Sequence, residues 1–580
     1  MRSFRLAALA LCAWVLAAPV AVAQSGPGDE PVRATSGRGN ENLAAFARAY
    51  GYVRHFYPGD EAVAADWTAV AIAGVQRAEP ATSPADLARR LEAVLRPVAP
   101  AFRAWPTDRP PPAAEALARV PGLRWRHEGF GQAERSIYRS ERVPAEAGQP
   151  DLFTADLPGG VSVRLPLVVA VEAGHTLPAA TADPVRPQKP IDFKPSGDDR
   201  ATRLADVVIA WNVLQHFYPY FDLVPGDWAA ELPKALSAAA VDADRAAFRR
   251  TLQRLVVALG DGHGAVVDAN GRDPARPFGS LAVALAWIED RAVVVAANDP
   301  GLRRGDVIAR IDGRGVGDLI REAEGRVSGA TPQWKRFRAL YEITTGPMAT
   351  PARLEGLRAD GAAFAIDAPR VTGAPPREAR PELLAELRPG YLYVDLDRIT
   401  DGEIEAAWPR LADAKGVIFD LRGYPKPRPT FLSHLTDRIV TSPRWHVPVI
   451  TRPDQQGVTW KTSNWTLRPA QPRIAGRIAF ITDGRAMSYA ESVLGLVEGE
   501  RLAPIVGEPT AGTNGNVNPL VLPGGYTIRW TGMKVLKHDG SPHHGVGIQP
   551  TVPVRRTLAG IRAGRDEQLE AALREVGAPP

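Results

Sequence analysis

The segment Thr482-Asp483-Gly484-Arg485-Ala486-Met487-Ser488-Tyr489-Ala490-Glu491-Ser492 runs from the end of an apolar stretch, Ile478-Ala479-Phe480-Ile481, into an apolar helical pattern. A serine at such a strand-to-helix junction can present its hydroxyl with helix N-terminal amides close by, which suits a nucleophile whose attack creates an oxyanion. The same spacing also serves a structural end, because Ser488 and Glu491 fit a capping box. A second candidate is His263, set in Gly260-Asp261-Gly262-His263-Gly264. Flanking glycines allow a side chain on a tight turn, and imidazole, with an ordinary pKa of ~6.5, suits proton transfer near neutrality. A turn histidine facing water is the plain structural alternative. Other chemistries fit less well. Ser488 lacks the glycine two places on that a nucleophile elbow carries, and Glu491 stands where a β-lactamase motif needs lysine. There is no dinucleotide or P-loop glycine motif. The one cysteine, Cys12, excludes a disulfide scaffold and a cysteine zinc site. His538, His543 and His544 lack the acid–histidine spacing of a catalytic zinc site and read as surface or loop histidines. No metal and no cofactor is called for.

The elements that must position these residues belong to a multi-domain chain, since 580 residues exceed what one hydrophobic core usually organises. Apolar residues make up 45% and charged residues 23%, which excludes a disordered or collagenous chain. A formal charge of +5 without long Lys/Arg blocks argues against nucleic acid as a partner. Arg2 and Arg5, the apolar run Leu6 to Val20 and Ala21-Val22-Ala23 read as a signal peptide over 1–23. Its cleavage would remove Cys12, place the mature chain in the periplasm or outside the cell, and leave no stable membrane span. A flexible linker is expected over 24–40. Tyr52-Val53-Arg54-His55-Phe56-Tyr57-Pro58 then recurs as Val213-Leu214-Gln215-His216-Phe217-Tyr218-Pro219, and Asp66-Trp67 as Asp227-Trp228, at one constant offset. Two helical copies are therefore expected, at 41–105 and 197–275. His55 and His216 read as core or capping histidines. Only the second copy ends in the His263 loop; the first has Ala99-Pro100-Ala101-Phe102-Arg103 there. Residues 106–196, rich in Pro and Gly with alternating stretches such as Val161-Ser162-Val163-Arg164-Leu165, read as a small β-rich insert. Over 276–375 the string Gly301-Leu302-Arg303-Arg304-Gly305-Asp306-Val307-Ile308-Ala309-Arg310-Ile311-Asp312-Gly313 resembles a PDZ domain of the bacterial protease type, a module that can take an extended peptide as an added strand. From 380 to 570, Tyr391-Leu392-Tyr393-Val394, Val417-Ile418-Phe419-Asp420-Leu421 and Ile478-Ala479-Phe480-Ile481 alternate with helical patterns, as an α/β core does.

Four motifs follow one another in this core: Asp420-Leu421-Arg422-Gly423 after a strand, the Ser488 segment, Gly507-Glu508-Pro509-Thr510-Ala511-Gly512, and Gly545-Val546-Gly547-Ile548-Gln549-Pro550. With the PDZ-like string and Gly260-Asp261-Gly262-His263, residues 200–570 resemble the tail-specific (C-terminal processing) serine peptidase family. The resemblance implies a crotonase-like ββα core with an inserted PDZ-like domain, preceded here by the duplicated helical segments and the β-rich region. It also implies endopeptidase activity on polypeptides. A Ser/Lys member would carry its lysine downstream of the serine, and none occurs between Ser488 and Lys534. That leaves a tricorn-like Ser/His arrangement, with Ser488 as nucleophile, His263 as general base, and the N–H groups of Gly423 and Tyr489 as oxyanion hole. Three departures stand out. Gly423-Tyr424-Pro425-Lys426-Pro427 replaces the family's Asn and paired glycines. Pro542, flanked by His543 and His544, stands where such enzymes carry the glutamate that orients the histidine. Gln549-Pro550-Thr551 replaces the usual Pro-Asp ending. The third catalytic member is thus open, with Glu491 and Asp539 as candidates. The alternative is a non-catalytic ligand- or peptide-binding protein on the same scaffold.

Overall fold

The computed structural model describes residues 28–113, 122–132, 136–145, 151–224, 226–268 and 278–579. The expected signal peptide lies outside the described residues. The expected linker ends early: Ser36 caps the first helix, Gly37–Phe56, by accepting the Gly39 N–H. Ahead of it, Glu30 and Arg33 are tied by ion pairs to Arg200 and Glu79. No described helix is long and apolar enough to cross a membrane.

The duplication is visible in the caps. Asp66 and Asp227 each accept the N–H three residues on and start the helices Trp67–Ala78 and Trp228–Val241. Ser83 and Asp244 do the same for Pro84–Leu95 and Arg245–Val257. The leading helices Gly37–Phe56 and Arg200–Phe217 pack against each other within one core, and a Cβ at Gly51 would come within 1.8 Å of Asn212 Oδ1. His55 and His216 are buried there with His127, among Phe56, Phe130 and Phe217. Burial lowers the imidazole of His127 to about 4 and that of His216 to about 3. Neutral in the fold and protonated when unfolded, these rings stabilise fully above pH ~6.5 and lose that contribution as pH falls toward their folded values, at ~1.4 kcal/mol per pH unit each. The apparent Tm should therefore drop between pH 7 and pH 5, and His216→Phe should flatten the drop. An unchanged Tm slope in that variant would contradict the assignment.

The β-rich region is not a free-standing insert. Its strand Gly122–Glu128 pairs with Arg444–Ile450 of the core, His127 opposite Ile450, and both belong to one seven-stranded sheet. The remaining strands, Arg103–Pro106, Val161–Pro166 and Leu152–Leu157, form a three-stranded sheet on the helices.

Residues 278–371 carry the antiparallel strand order Val283–Ile288, Arg291–Ala297, Val307–Ile311, Ala352–Leu357, Ala363–Ala368, with helices Val316–Glu324 and Pro332–Thr344. The α/β core has the order Leu384–Arg388, Tyr391–Asp395, Gly416–Asp420, Arg477–Thr482, Ile505–Gly507, Val552–Pro553, and all but the first strand run parallel. Every residue of Gly416–Asp420 is buried, as a parallel strand covered on both faces requires. Val417 and Phe419 face the helices Asp401–Ala412 and Tyr489–Glu500, while Ile418 faces Glu567–Glu575.

Candidate active site

After Arg245–Val257 the chain turns through Gly260 to Gly264 into the strand Ala265–Asp268. That strand pairs antiparallel with Tyr526–Thr531, Ala265 opposite Arg529. Continued two residues, this register sets His263 against Thr531. His263 Nδ1 lies 2.8 Å from Thr531 Oγ1, and that hydroxyl donates to Asp261 Oδ1 at 2.6 Å. Asp261 is fully buried and also accepts the N–H groups of Thr531, at 2.6 Å, and of His263, at 3.0 Å. A hydroxyl has one hydrogen to give. Because Thr531 spends it on the carboxylate, it must accept from Nδ1–H, which leaves Nε2 as the unprotonated nitrogen. Burial lowers the His263 pKa below its ordinary value, against the opposing pull of Asp261, so the ring is neutral near pH 7. Gly262 is required by close approach: a Cβ there would sit 2.2 Å from Thr513 Oγ1.

Ser488 follows the strand Arg477–Thr482 and opens the helix Tyr489–Glu500 with φ 55° and ψ −113°. This backbone is costly for a residue with a Cβ, on the order of 1–3 kcal/mol, and is held by its surroundings. Ser488 N–H donates to Thr513 O at 2.8 Å and lies 3.1 Å from Glu491 Oε2. Glu491 is fully buried. Its carboxylate also accepts from Thr510 Oγ1 at 2.5 Å, Gly512 N at 2.6 Å and Thr513 N at 2.9 Å, and His543 Nε2 lies 3.3 Å from Oε1. One residue thereby joins the two candidate segments: Thr513 receives the Gly262 N–H on its hydroxyl at 3.1 Å and the Ser488 N–H on its carbonyl.

Gly423 sits past the end of Gly416–Asp420 with φ 156°. Among the described residues, neither its N–H nor that of Tyr489 donates to a protein acceptor, so both are free for a ligand oxygen. The strand end beneath Gly423 is rigid, since Arg422 bridges Asp420 and Asp566, with Nη2 at 2.6 and 2.8 Å from their carboxylates. The helix Pro332–Thr344 braces both loops from outside. Gln333 Nε2 donates to Thr510 O at 2.7 Å, Trp334 Nε1 to Gly262 O at 3.0 Å, and Arg338 to Gly264 O at 2.8 Å.

The candidates for the third member lie elsewhere than on the His263 ring. Glu491 faces the Ser488 backbone and the 510–513 loop, and Asp539 is exposed and accepts from Ser541. The residues that do hold the ring are Asp261 and Thr531. Asp261 stood within the His263 motif, where a buried carboxylate two residues ahead was a usable signal; Thr531 and Thr513 carry none. The reading of His543 and His544 as surface histidines is corrected. His543 is fully buried against Glu491, and His544 is 7% exposed, its ring stacked on Tyr220 at 4.1 Å. The polar, glycine-flanked run Ser541-Pro542-His543-His544-Gly545 looked like a surface loop, but it packs beneath the site. Only His538 of the three is partly exposed, its Nε2 bonded to Thr441 O. Among the described residues, no group of three or more His, Cys, Asp or Glu side chains converges to hold a metal.

A search of the curated proteins finds no relative of the chain. Among solved structures, mature CPAF complexed with lactacystin matches with a TM-score of 0.52 at 14% identity, over 65% of this chain and 97% of that one. Mature CPAF alone matches with a TM-score of 0.51 at 14% identity, over 63% and 94%. At that identity the likeness is one of fold. The family model of Peptidase family S41 matches residues 390–554, a span that includes Gly423, Ser488, Glu491 and Thr531 and excludes His263. Over that span the chain is similar to Peptidase family S41.

Proposed function

We propose that this protein is a secreted or periplasmic serine endopeptidase that hydrolyses peptide bonds of polypeptide substrates, with Ser488 as nucleophile and His263 as general base. The observation that carries the reading is the Thr513 bridge, which fixes the loop of the neutral imidazole and the strained backbone of the serine to one residue. His263 Nε2 takes the Ser488 Oγ proton as Oγ adds to the scissile carbonyl carbon. The resulting oxyanion is met by the N–H groups of Gly423 and Tyr489, the latter at the positive end of its helix. The imidazolium then protonates the leaving amine, and water repeats the sequence on the acyl-enzyme. Asp261, through Thr531, holds the ring in the tautomer this requires and stabilises its charged form. The reading includes a crotonase-like core at 380–570 and a PDZ-like domain at 276–375; antiparallel strands with two helices in the latter segment support it.

The test is cleavage of an unfolded polypeptide such as casein by the mature protein. Fragments are expected, and a protein that binds casein without cutting it would favour the non-catalytic alternative. Thr531→Val should lower kcat by about 10- to 100-fold with KM little changed. The acid limb of kcat/KM should lie lower than a free imidazole would place it, since burial depresses His263, and activity is lost as pH falls through that depressed pKa. Asp261→Asn removes the charge that raises His263, so the acid limb should move lower still while kcat drops. An acid limb that does not move in that variant would contradict the relay.

A further inference from the structure

Beside Ser488 runs a row of aromatic rings that the hydrolytic steps do not use. Tyr489 follows the nucleophile, and its ring centroid lies 5.9 Å from Tyr424 and 5.8 Å from Trp465; Trp465 lies 4.9 Å from Trp445. None of the four is fully buried, and Tyr424 is 51% exposed. The rings are held in place. Tyr489 OH donates to Pro427 O at 2.8 Å, pinning the proline-rich loop that carries Tyr424. Trp465 N–H donates to Ser442 Oγ at 2.9 Å. Trp445 belongs to the strand Arg444–Ile450, between Thr459–Ser463 and Lys534–Leu536, and rests on a small apolar cluster that includes Met533. Partly solvated aromatic rings held on fixed elements are the kind of side chain enriched at recognition sites.

Resting on the peptidase reading, we infer that Tyr424, Tyr489, Trp465 and Trp445 form a subsite for aromatic or long aliphatic side chains of the polypeptide, next to the scissile bond. The position follows from Tyr489 itself, whose N–H would hold the scissile carbonyl oxygen while its ring stands in the row between Tyr424 and Trp465. An extended chain presents a side chain on the same face every ~6.6 Å, so alternate residues can reach successive parts of the row. Small side chains would leave these faces in water, and charged ones would be desolvated against them.

The inference is tested by identifying the cut sites in casein and in an unfolded cell extract by mass spectrometry. Phe, Tyr, Trp or Leu should be enriched at least about threefold within two residues of the cut, and Tyr424→Ala and Trp465→Ala should lower kcat/KM about tenfold on a Phe-containing peptide but not on its Ala counterpart. Tyr424→Phe should retain the preference. Cleavage without enrichment, or equal losses on both peptides, would overturn the subsite while leaving the peptidase reading intact. Binding to Ser488→Ala, followed by tryptophan fluorescence with the same two peptides, decides the matter independently of hydrolysis. Tighter binding of the Phe peptide, lost in Ser488→Ala/Trp465→Ala, supports the subsite even if the wild type cuts nothing, and equal binding of the two overturns it.

Discussion

Ser488→Ala is expected to lower hydrolysis of an unfolded polypeptide by at least about 10⁴-fold, with melting changed by no more than a degree or two. The loss is large because the remaining parts, the free N–H groups of Gly423 and Tyr489 and the imidazole of His263, have no nucleophile to assist. The fold is retained because the contacts of this residue that position the site are made by its backbone N–H, to Thr513 O and Glu491 Oε2, and alanine keeps that group. The comparison is a fragment-release assay on wild type and variant beside thermal melts of both. Undiminished cleavage by the variant would remove Ser488 from the chemistry.

Glu491→Ala should have the largest effect on stability. It would leave the Ser488, Gly512 and Thr513 N–H groups and the Thr510 hydroxyl without the carboxylate that accepts from them. Unsatisfied buried donors cost ~1–3 kcal/mol each before relaxation, so a net loss on the order of 3–5 kcal/mol is expected, with activity lost as well. Glu491→Gln should rescue little, because its amide must turn a donor toward groups that are themselves donors. Chemical denaturation of the three proteins makes the check. A Gln variant as stable as wild type would mean that the carboxylate's four donors are not what secures the loop.

The parts of this structure that are local in sequence were legible in it. Val417-Ile418-Phe419 and Ile478-Ala479-Phe480-Ile481 announce central parallel strands because both faces of such strands are covered. Asp66 and Asp227, repeated at one offset, announce the same helix start twice. What could not be read were pairings between distant segments. His263 meets Thr531 through a strand pair spanning 268 residues, and Gly122–Glu128 joins the core sheet by pairing with Arg444–Ile450. No local pattern encodes an edge partner. Ser488 is an intermediate case. Its place before a helix was readable, and a capping role fitted equally well, but its positive φ goes with N–H bonds to Thr513 and Glu491 that only the fold brings near. The burial of His543 and His544 was hidden for a related reason, since polar residues next to glycine and proline look like a surface loop until the helix and sheet that cover them are in place.

The claim that Ser488 and His263 act as one unit is tested most directly by a double-mutant cycle on polypeptide cleavage. Residues that share one step are far from additive: each single loss already removes that step. Ser488→Ala, His263→Ala and the double variant should therefore show residual kcat values within about a factor of ten of one another, all orders of magnitude below wild type. If His263→Ala retains most of the activity, or if its effect multiplies independently with that of Ser488→Ala, the two residues do not form a catalytic pair and the assignment fails.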